Sequence, residues 1–266
     1  MSMDPIPLAS TMQRLAASMD ISCRPPGLVQ HRFDGSPFGT AYLCIAPDEQ
    51  GAYASSNHNR VHLCGTDGGL SADGVVHFTQ LFREAGVTRF FAWLSPGLQM
   101  DVVRGWLTEA GLSRVPYVAY LTLARDASEP PAVVTDLTIR ELAVEEIAGF
   151  SGRLDKIAWP DYVRSAGAIG FSHFMAFDRD QPVASAVLCA FEGLGYLCMA
   201  LTSEAARGRG AQRALIARRI EKARALGCRT LVSETLSILP ISLGNLRKAG
   251  FQPVYEREVY SGHTLD

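Results

Sequence analysis

No apolar run in this sequence approaches the roughly 20 residues that a membrane-spanning helix needs, and no signal-peptide pattern opens it. A membrane role and a secretory route are therefore not expected. There is no C-x-x-C pair either: Cys23, Cys44, Cys64, Cys189, Cys198 and Cys228 are scattered. That spacing argues against a disulfide framework and points to reduced, mostly buried thiols in a cytoplasmic chain. Charge of one sign is lacking too. The 25 Lys and Arg nearly balance the 27 Asp and Glu, for a net charge of -2, so nucleic acid is not an expected partner. His58, His62 and Cys64 are the nearest approach to a metal set, but His58 lies in a polar loop and no second pair completes a tetrahedron. Ordinary packing and no metal are expected there.

What is present is a hydrophobic content of 47% over 266 residues, enough for a large core and for two domains. One stretch, Leu197 to Gly250, organises the rest. An apolar strand segment ends at Leu201, and an Ala- and Arg-rich segment free of Pro and internal Gly, Ala211 to Leu226, reads as a helix. Between them stand Arg207-Gly208-Arg209-Gly210. A glycine-rich strand-to-helix turn presents bare backbone N–H groups where the helix dipole already favours an anion. Arg207, Arg209 and Arg213 oppose that dipole unless something negative sits among them, so a phosphate is expected. The dinucleotide fingerprint fails because its third glycine position is Arg213, and no Gly-Lys-Ser or Gly-Lys-Thr of a P-loop follows Gly210.

Arg207 and Gly210 match the pyrophosphate turn of the GCN5-related N-acetyltransferase (GNAT) family, which this segment resembles; Gln212 stands where Gly or Ala is usual. Element order extends the resemblance. A strand at Leu137–Leu142 is followed by a helix from Ala143 to about Leu154 and an irregular stretch, 158–170. Strands at His173–Phe177, Val183–Phe191 and Tyr196–Leu201 come next, with a turn at Asp180-Gln181-Pro182. The helix 211–226, strand Thr230–Glu234, helix Ile241–Ala249 and strand Pro253–Tyr260 complete the series. The resemblance implies acetyl-CoA as co-substrate. Its pantetheine arm would lie along Ala200, Leu201 and Thr202, and its pyrophosphate against the N–H groups of Gly208, Arg209, Gly210, Ala211, Gln212 and Arg213, with Arg207 beside them.

Upstream, the sequence suggests a helix at Met12–Met19, a strand at Ala41–Ile45 and a polar loop at 50–59. Helix Ala72–Ala85, strand Thr88–Leu94, helix Met100–Ala110 and strand Val115–Leu123 follow. Their markers recur downstream: Ala85-Gly86, Gly111-Leu112 and Tyr117 reappear as Leu226-Gly227, Gly250-Phe251 and Tyr255 at offsets of 141, 139 and 138. This suggests duplication. With the Pro- and Ser-containing linker 126–135, it predicts two GNAT-like α+β domains, 1–130 and 131–266, each a mixed, mostly antiparallel sheet flanked by helices. Thr66-Asp67-Gly68-Gly69-Leu70 occupies the turn of the first copy, and Asp67 repels phosphate, so that copy reads as degenerate. Each copy also ends one strand short of the family pattern. The open edges are expected to pair, the two sheets completing one another.

An amine acceptor, small molecule or peptide, must be deprotonated before it attacks a thioester. Leu246 stands at the family's usual Tyr position and Leu239 at its Asn position. Glu234 falls where some relatives carry a catalytic glutamate, which leaves two readings open: a base, or a solvated residue at a strand end. Tyr255 and Tyr260 are the nearest alternatives to the missing acid. Trp159, Asp161 and Tyr162 lie where the family often builds its acceptor site, or else form an aromatic-anchored loop. Glu192 and Tyr196 flank a hairpin turn and read as exposed; His173 opens a strand and reads as structural. The expected function is N-acyl transfer by direct attack; a catalytically inactive acyl-CoA-binding or sensing protein is the alternative. The sequence leaves the oligomeric state open.

Overall fold

The computed structural model describes residues 3–22, 27–46, 58–64, 69–150 and 160–264. The first half comprises α1 (Pro5–Ser22), β1 (Val29–Phe33), β2 (Ala41–Ile45), β3 (Arg60–Cys64), α2 (Ala72–Glu84), β4 (Arg89–Ser95), α3 (Met100–Glu109) and β5 (Ser113–Asp126). The second runs β6 (Thr138–Leu142), α4 (Val144–Gly149), α5 (Pro160–Arg164), β7 (Phe171–Asp178), β8 (Gln181–Phe191) and β9 (Leu194–Thr202). A 3-10 turn (Glu204–Ala206) then leads to α6 (Ala211–Ala225), β10 (Thr230–Leu236), α7 (Pro240–Lys248) and β11 (Gln252–His263).

Local patterning accounts for most of these elements. Helix α2 buries Gly74, Val75, Phe78 and Phe82, spaced to share one helical face. All five residues of β2 are buried, because Leu43 packs with Phe78 and Phe82 while Tyr42 and Cys44 pack with Ala17 of α1. Helix α1 starts well before Met12. Its residues Leu8, Ala9, Met12 and Leu15 pack on Val232, Ala124 and Tyr255, contacts no local signal announces. Strand β1 is unforeseen because it is a partly exposed edge strand with Gln30 and Arg32 in it. The turn expected at Asp180-Gln181-Pro182 falls one residue earlier: Arg179 takes a left-handed φ of 55° and Pro182 sits inside β8. Residues 160–164 form a short helix within the stretch expected to be irregular. Among the described residues no helix is long and apolar enough to cross a membrane.

The strands form one 11-stranded sheet in the order β1-β2-β3-β4-β11-β5-β10-β9-β8-β7-β6. Two neighbouring pairs are parallel, β3–β4 and β9–β10; the others are antiparallel. The fold is thus mixed α+β, a mostly antiparallel open sheet flanked by helices. Strand pairing crosses the middle of the chain in both directions. β11 lies between β4 and β5, with Val259 opposite Trp93 and Arg257 opposite Tyr120, and β5 lies between β11 and β10, with Thr122 opposite Glu234. Each half therefore lends its final strand to the other, and the two open edges expected from the sequence close on one another. Paired on both sides, β5 and β11 run longer than the 115–123 and 253–260 segments expected. Helix α6 packs Leu215, Ile216 and Ile220 on one sheet face against Leu197 and Leu231, and α1 covers the opposite face beside Val232.

Candidate active site

The site begins where β9 and β10 separate. Their parallel pairing runs from Leu194 opposite Thr230 to Leu197 opposite Ser233 and stops there, although β9 continues to Thr202 and β10 to Leu236. On its other side β9 stays paired with β8, through Leu201 opposite Ser185 and Thr202 opposite Ala184. A bulge between these pairs and the Val187–Cys198 rung places Met199 at φ 48°. Arg219 supports the bulge. This residue breaks the apolar stripe of α6, is 2% exposed, and donates to the carbonyls of Val187 and Cys198, each at 3.3 Å. Burial lowers the pKa of its guanidinium to about 10.

The turn that follows carries Gly208 at φ 80° and Gly210 at φ 84°, both left-handed, so glycine is the residue that fits without strain. Gly210 is the N-cap of α6, and no side chain caps this helix. A side chain on Gly210 would meet the Val134 carbonyl at 3.0 Å, whereas one on Gly208 would meet nothing within 4 Å. The arginines also have carboxylate partners. Arg209 is held by Asp178 at 2.5 Å and Asp136 at 2.6 Å, and Arg207 by Glu204 at 3.2 Å. The Arg209 hydrogen bonds in turn hold Asp136 and Asp178 below the usual carboxylate range. Arg213 is exposed in the first turn of α6. Gln212 binds α7 instead of leaving open space: it accepts from Asn245 at 2.6 Å and donates to Ser242 at 3.5 Å.

A cavity of about 700 Å³ extends from this opening toward the first half, lined by Ala200, Leu201 and Gln212 at one end and by Trp93 and Arg60 at the other. Glu234 stands between. It is not a solvated strand-end residue: its side chain is 8% exposed, and three donors reach it. Thr122 Oγ1 donates to Oε1, while Tyr196 Oη and Arg257 donate to Oε2, each at 3.0 Å. Such a buried pair is stable only when further hydrogen bonds support it, and here Thr122 and Tyr196 supply two to the carboxylate. Burial, then the nearby Glu234 carboxylate, holds the Tyr196 phenol well above its ordinary pKa, so it stays protonated. Tyr196 is thus no exposed hairpin flank. Glu192 is, with its partner Arg14 at 2.8 Å.

On the far wall the Arg257 and Arg60 guanidinium carbons lie 4.2 and 4.7 Å from the Trp93 ring centre. Arg60 also donates to Asp20 at 2.7 Å and to His62 Nε2 at 2.6 Å. Burial, then Arg60 and Arg257, pushes His62 well below its ordinary pKa, so it is neutral. Among the described residues no cluster of metal-ligating side chains occurs. Asp161 lines the cavity, paired with Arg164 and 4.0 Å from His58. Tyr162 does not reach it: fully buried, it packs its ring edge-on to His173 and donates to the Phe174 carbonyl. Trp159 lies outside the described residues, as do Thr66, Asp67 and Gly68. Leu239 and Leu246 both face the cavity, while Tyr255 and Tyr260 do not line it. Sequence reasoning missed Thr122, Arg257, Trp93 and Arg60. Their signal was a polar or aromatic residue on one face of an otherwise apolar strand, and its meaning depended on which strands became neighbours.

Comparison with known proteins agrees with this geometry. Residues 138–251 match the model of the acetyltransferase (GNAT) family. Across nearly the whole chain the fold is similar to a GCN5-related N-acetyltransferase from Kribbella flavida. That match has a TM-score of 0.67 and 16% identity, and covers 98% of this chain and 96% of that one. It is also similar to a tandem GNAT protein from the clavulanic acid biosynthesis pathway (TM-score 0.62, 10% identity, 95% and 88% covered). A third similar structure is the GCN5-related N-acetyltransferase from Sphaerobacter thermophilus (0.58, 13%, 100% and 95%). No curated protein sequence matches the chain. Residues 138–251, with their parting parallel strands and glycine turn, match the GNAT acetyltransferase family, and the chain as a whole is similar in fold to a tandem GNAT protein.

Proposed function

We propose that the protein transfers an acetyl or other short acyl group from acyl-CoA to a primary amine by direct attack. One observation carries the reading: β9 and β10 part beyond the Leu197–Ser233 rung, beside a helix N-terminus that no side chain caps. The residues present fit the cofactor. Ala200, Leu201 and Thr202 supply strand backbone no longer paired toward β10, suited to an amide-bearing arm. The N–H groups from Gly208 to Arg213 converge at the positive end of α6, suited to a pyrophosphate. Bound acyl-CoA supplies the activated thioester.

The chain's own residues do the remaining work. The acceptor must arrive as a neutral amine, and Glu234 is the carboxylate placed on the cavity wall to take its proton, directly or through a water. Thr122, Tyr196 and Arg257 act as positioning residues, since each fixes one lone pair of that carboxylate. Leu246 offers no acid at the usual position, and the protonated Tyr196 phenol is one of the three donors at 3.0 Å from Glu234. We read residues 1–130 and 131–266 as the two repeat units, the first without a cofactor site. There the N-terminus of α2 is closed: Ser71 caps it by accepting from Gly74, and its own amide donates to the Pro37 carbonyl at 2.9 Å. Titration with acetyl-CoA by calorimetry, followed by a screen of amines for thiol release, tests the proposal. Saturable binding and amine-dependent thiol release are expected; absence of binding overturns it.

A further inference from the structure

Two buried donors on cavity-lining residues, Trp93 Nε1–H and Arg257 Nε–H, have no hydrogen-bond partner among the described residues. The residues themselves are 7% and 4% exposed. A buried donor left unsatisfied costs free energy, more so when charged, so a pair of them in one wall marks a place for an acceptor atom. The charge balance says what kind. Arg60 and Arg257 crowd the same indole ring. Arg89 lines the same wall, makes no ion pair among the described residues, and has its own Nε–H unpartnered. Against these three arginines stand Asp20, bound to Arg60, and Glu234, bound to Arg257. Among these five groups the wall is cationic by one, and its unpartnered donors belong to side chains that line the cavity.

The geometry points to a carboxylate subsite for the acyl acceptor, built from Trp93, Arg257 and Arg89, which rests on the acyl transfer proposed above. The strand order sets the acceptor's length. From the opening between β9 and β10 to the Trp93–Arg257 corner between β11 and β4 the sheet crosses β10, β5 and β11. At about 4.8 Å per strand this spans about 14 Å, which side-chain reach from the two ends shortens to on the order of 10 Å between the reacting amine and the carboxylate. An α-amino acid is too short. A carboxylate-bearing amine of tripeptide length, at roughly 3.3–3.6 Å per residue, fits.

The test uses the full chain with acetyl-CoA and three probes: triglycine, 8-aminooctanoate, and glycine as the short control, the first two each against its C-terminal amide. The Trp93 indole N–H resonance, assigned by its loss in Trp93→Phe, should shift with triglycine and 8-aminooctanoate and stay still with the amides and glycine. Trp93→Phe keeps the ring and removes one donor to a charged group, so it should weaken binding of the two carboxylates about 10- to 100-fold while leaving acetyl-CoA affinity unchanged. Equal response to acid and amide, no response to either, or glycine binding as well as triglycine overturns the inference. A shift produced by succinyl-CoA but by none of the amino carboxylates also overturns it, by assigning the subsite to the acyl group. Failure to bind acetyl-CoA in the same calorimetric series sinks the acyl-transfer reading separately.

Discussion

The parallel pair of the first half stays in register from Arg60 opposite Phe91 to Cys64 opposite Ser95, whereas that of the second half parts after Leu197 opposite Ser233. The helices that follow differ in the same sense. α2 starts with a Ser71 side-chain cap and carries Asp73 in its first turn; α6 starts at a bare glycine with no acidic residue there. The side chains differ too, for Trp93 is the fifth residue of β4 and Glu234 the fifth residue of β10. The same frame is therefore closed, capped and aromatic in one half, and open, uncapped and acidic in the other. An anion site requires that helix N–H groups be left unsatisfied by the protein itself, and of these two helices only α6 has no side-chain cap. The first half contributes differently. By lending β5 it supplies Thr122 to Glu234, and its Trp93 stacks on Arg257.

Separating the halves should have the largest effect. A fragment of residues 131–266 removes both neighbours of β11, β4 and β5, and the outer neighbour of β10. It is expected to aggregate or remain unfolded, as read by circular dichroism and sedimentation, while the full chain is well behaved. A soluble, monomeric fragment that binds acyl-CoA would show that the exchanged strands are dispensable.

Charging the open helix end comes next. Gly208→Asp places a carboxylate in free space at the turn. At about 4 kcal/mol per unit-charge pair near a protein surface, it should lower acetyl-CoA affinity by more than ~10³-fold in calorimetry. The counterpart in the first half, Ser71→Ala, removes a cap and should cost about 0.5–2 kcal/mol of stability in denaturant titration with no change in that affinity. Equal effects of the two substitutions would erase the distinction between the helix ends.

Glu234→Gln should lower turnover by roughly 10²–10⁴-fold with little change in acetyl-CoA affinity, measured as kcat against Kd. A loss below tenfold would make Glu234 an anchor for Arg257 only.

The smallest expected effect distinguishes the two halves by pH. His62 is held well below its ordinary pKa by burial and then by Arg60 and Arg257; burial lowers His173, against a hydrogen bond to the Tyr162 carbonyl that raises it. Both are neutral when folded and protonate near pH 6.5 when unfolded. The unfolded chain then binds more protons, so stability falls as pH drops through about 6.5 and below. His62→Asn should flatten that decline more than His173→Asn does, in urea midpoints between pH 7 and 5. The reverse order would mean that the two arginines do not reach His62.

The repeat offsets and the glycine-arginine turn disclosed the element order and the fold class, and pointed to the candidate cofactor site, because caps, periodicity and left-handed turns are local properties. Arg219 was visible as a flaw in a helical stripe, but not as the support of a bulge, since the carbonyls of Val187 and Cys198 belong to other strands. Arg207 and Arg209 were visible as cations needing an anion; that Glu204, Asp136 and Asp178 supply it depends on long-range placement in Arg209's case. The sequence by itself determined where most strands lie, β1 excepted, and which turn is left-handed at its glycines. Only the tertiary structure decided that β5 and β11 trade places, and with them Thr122 and Arg257 reach Glu234 while Trp93 meets Arg257. Strand pairing is a choice between edges far apart in the chain, made by burial and hydrogen bonding summed over whole strands, and no local segment encodes it.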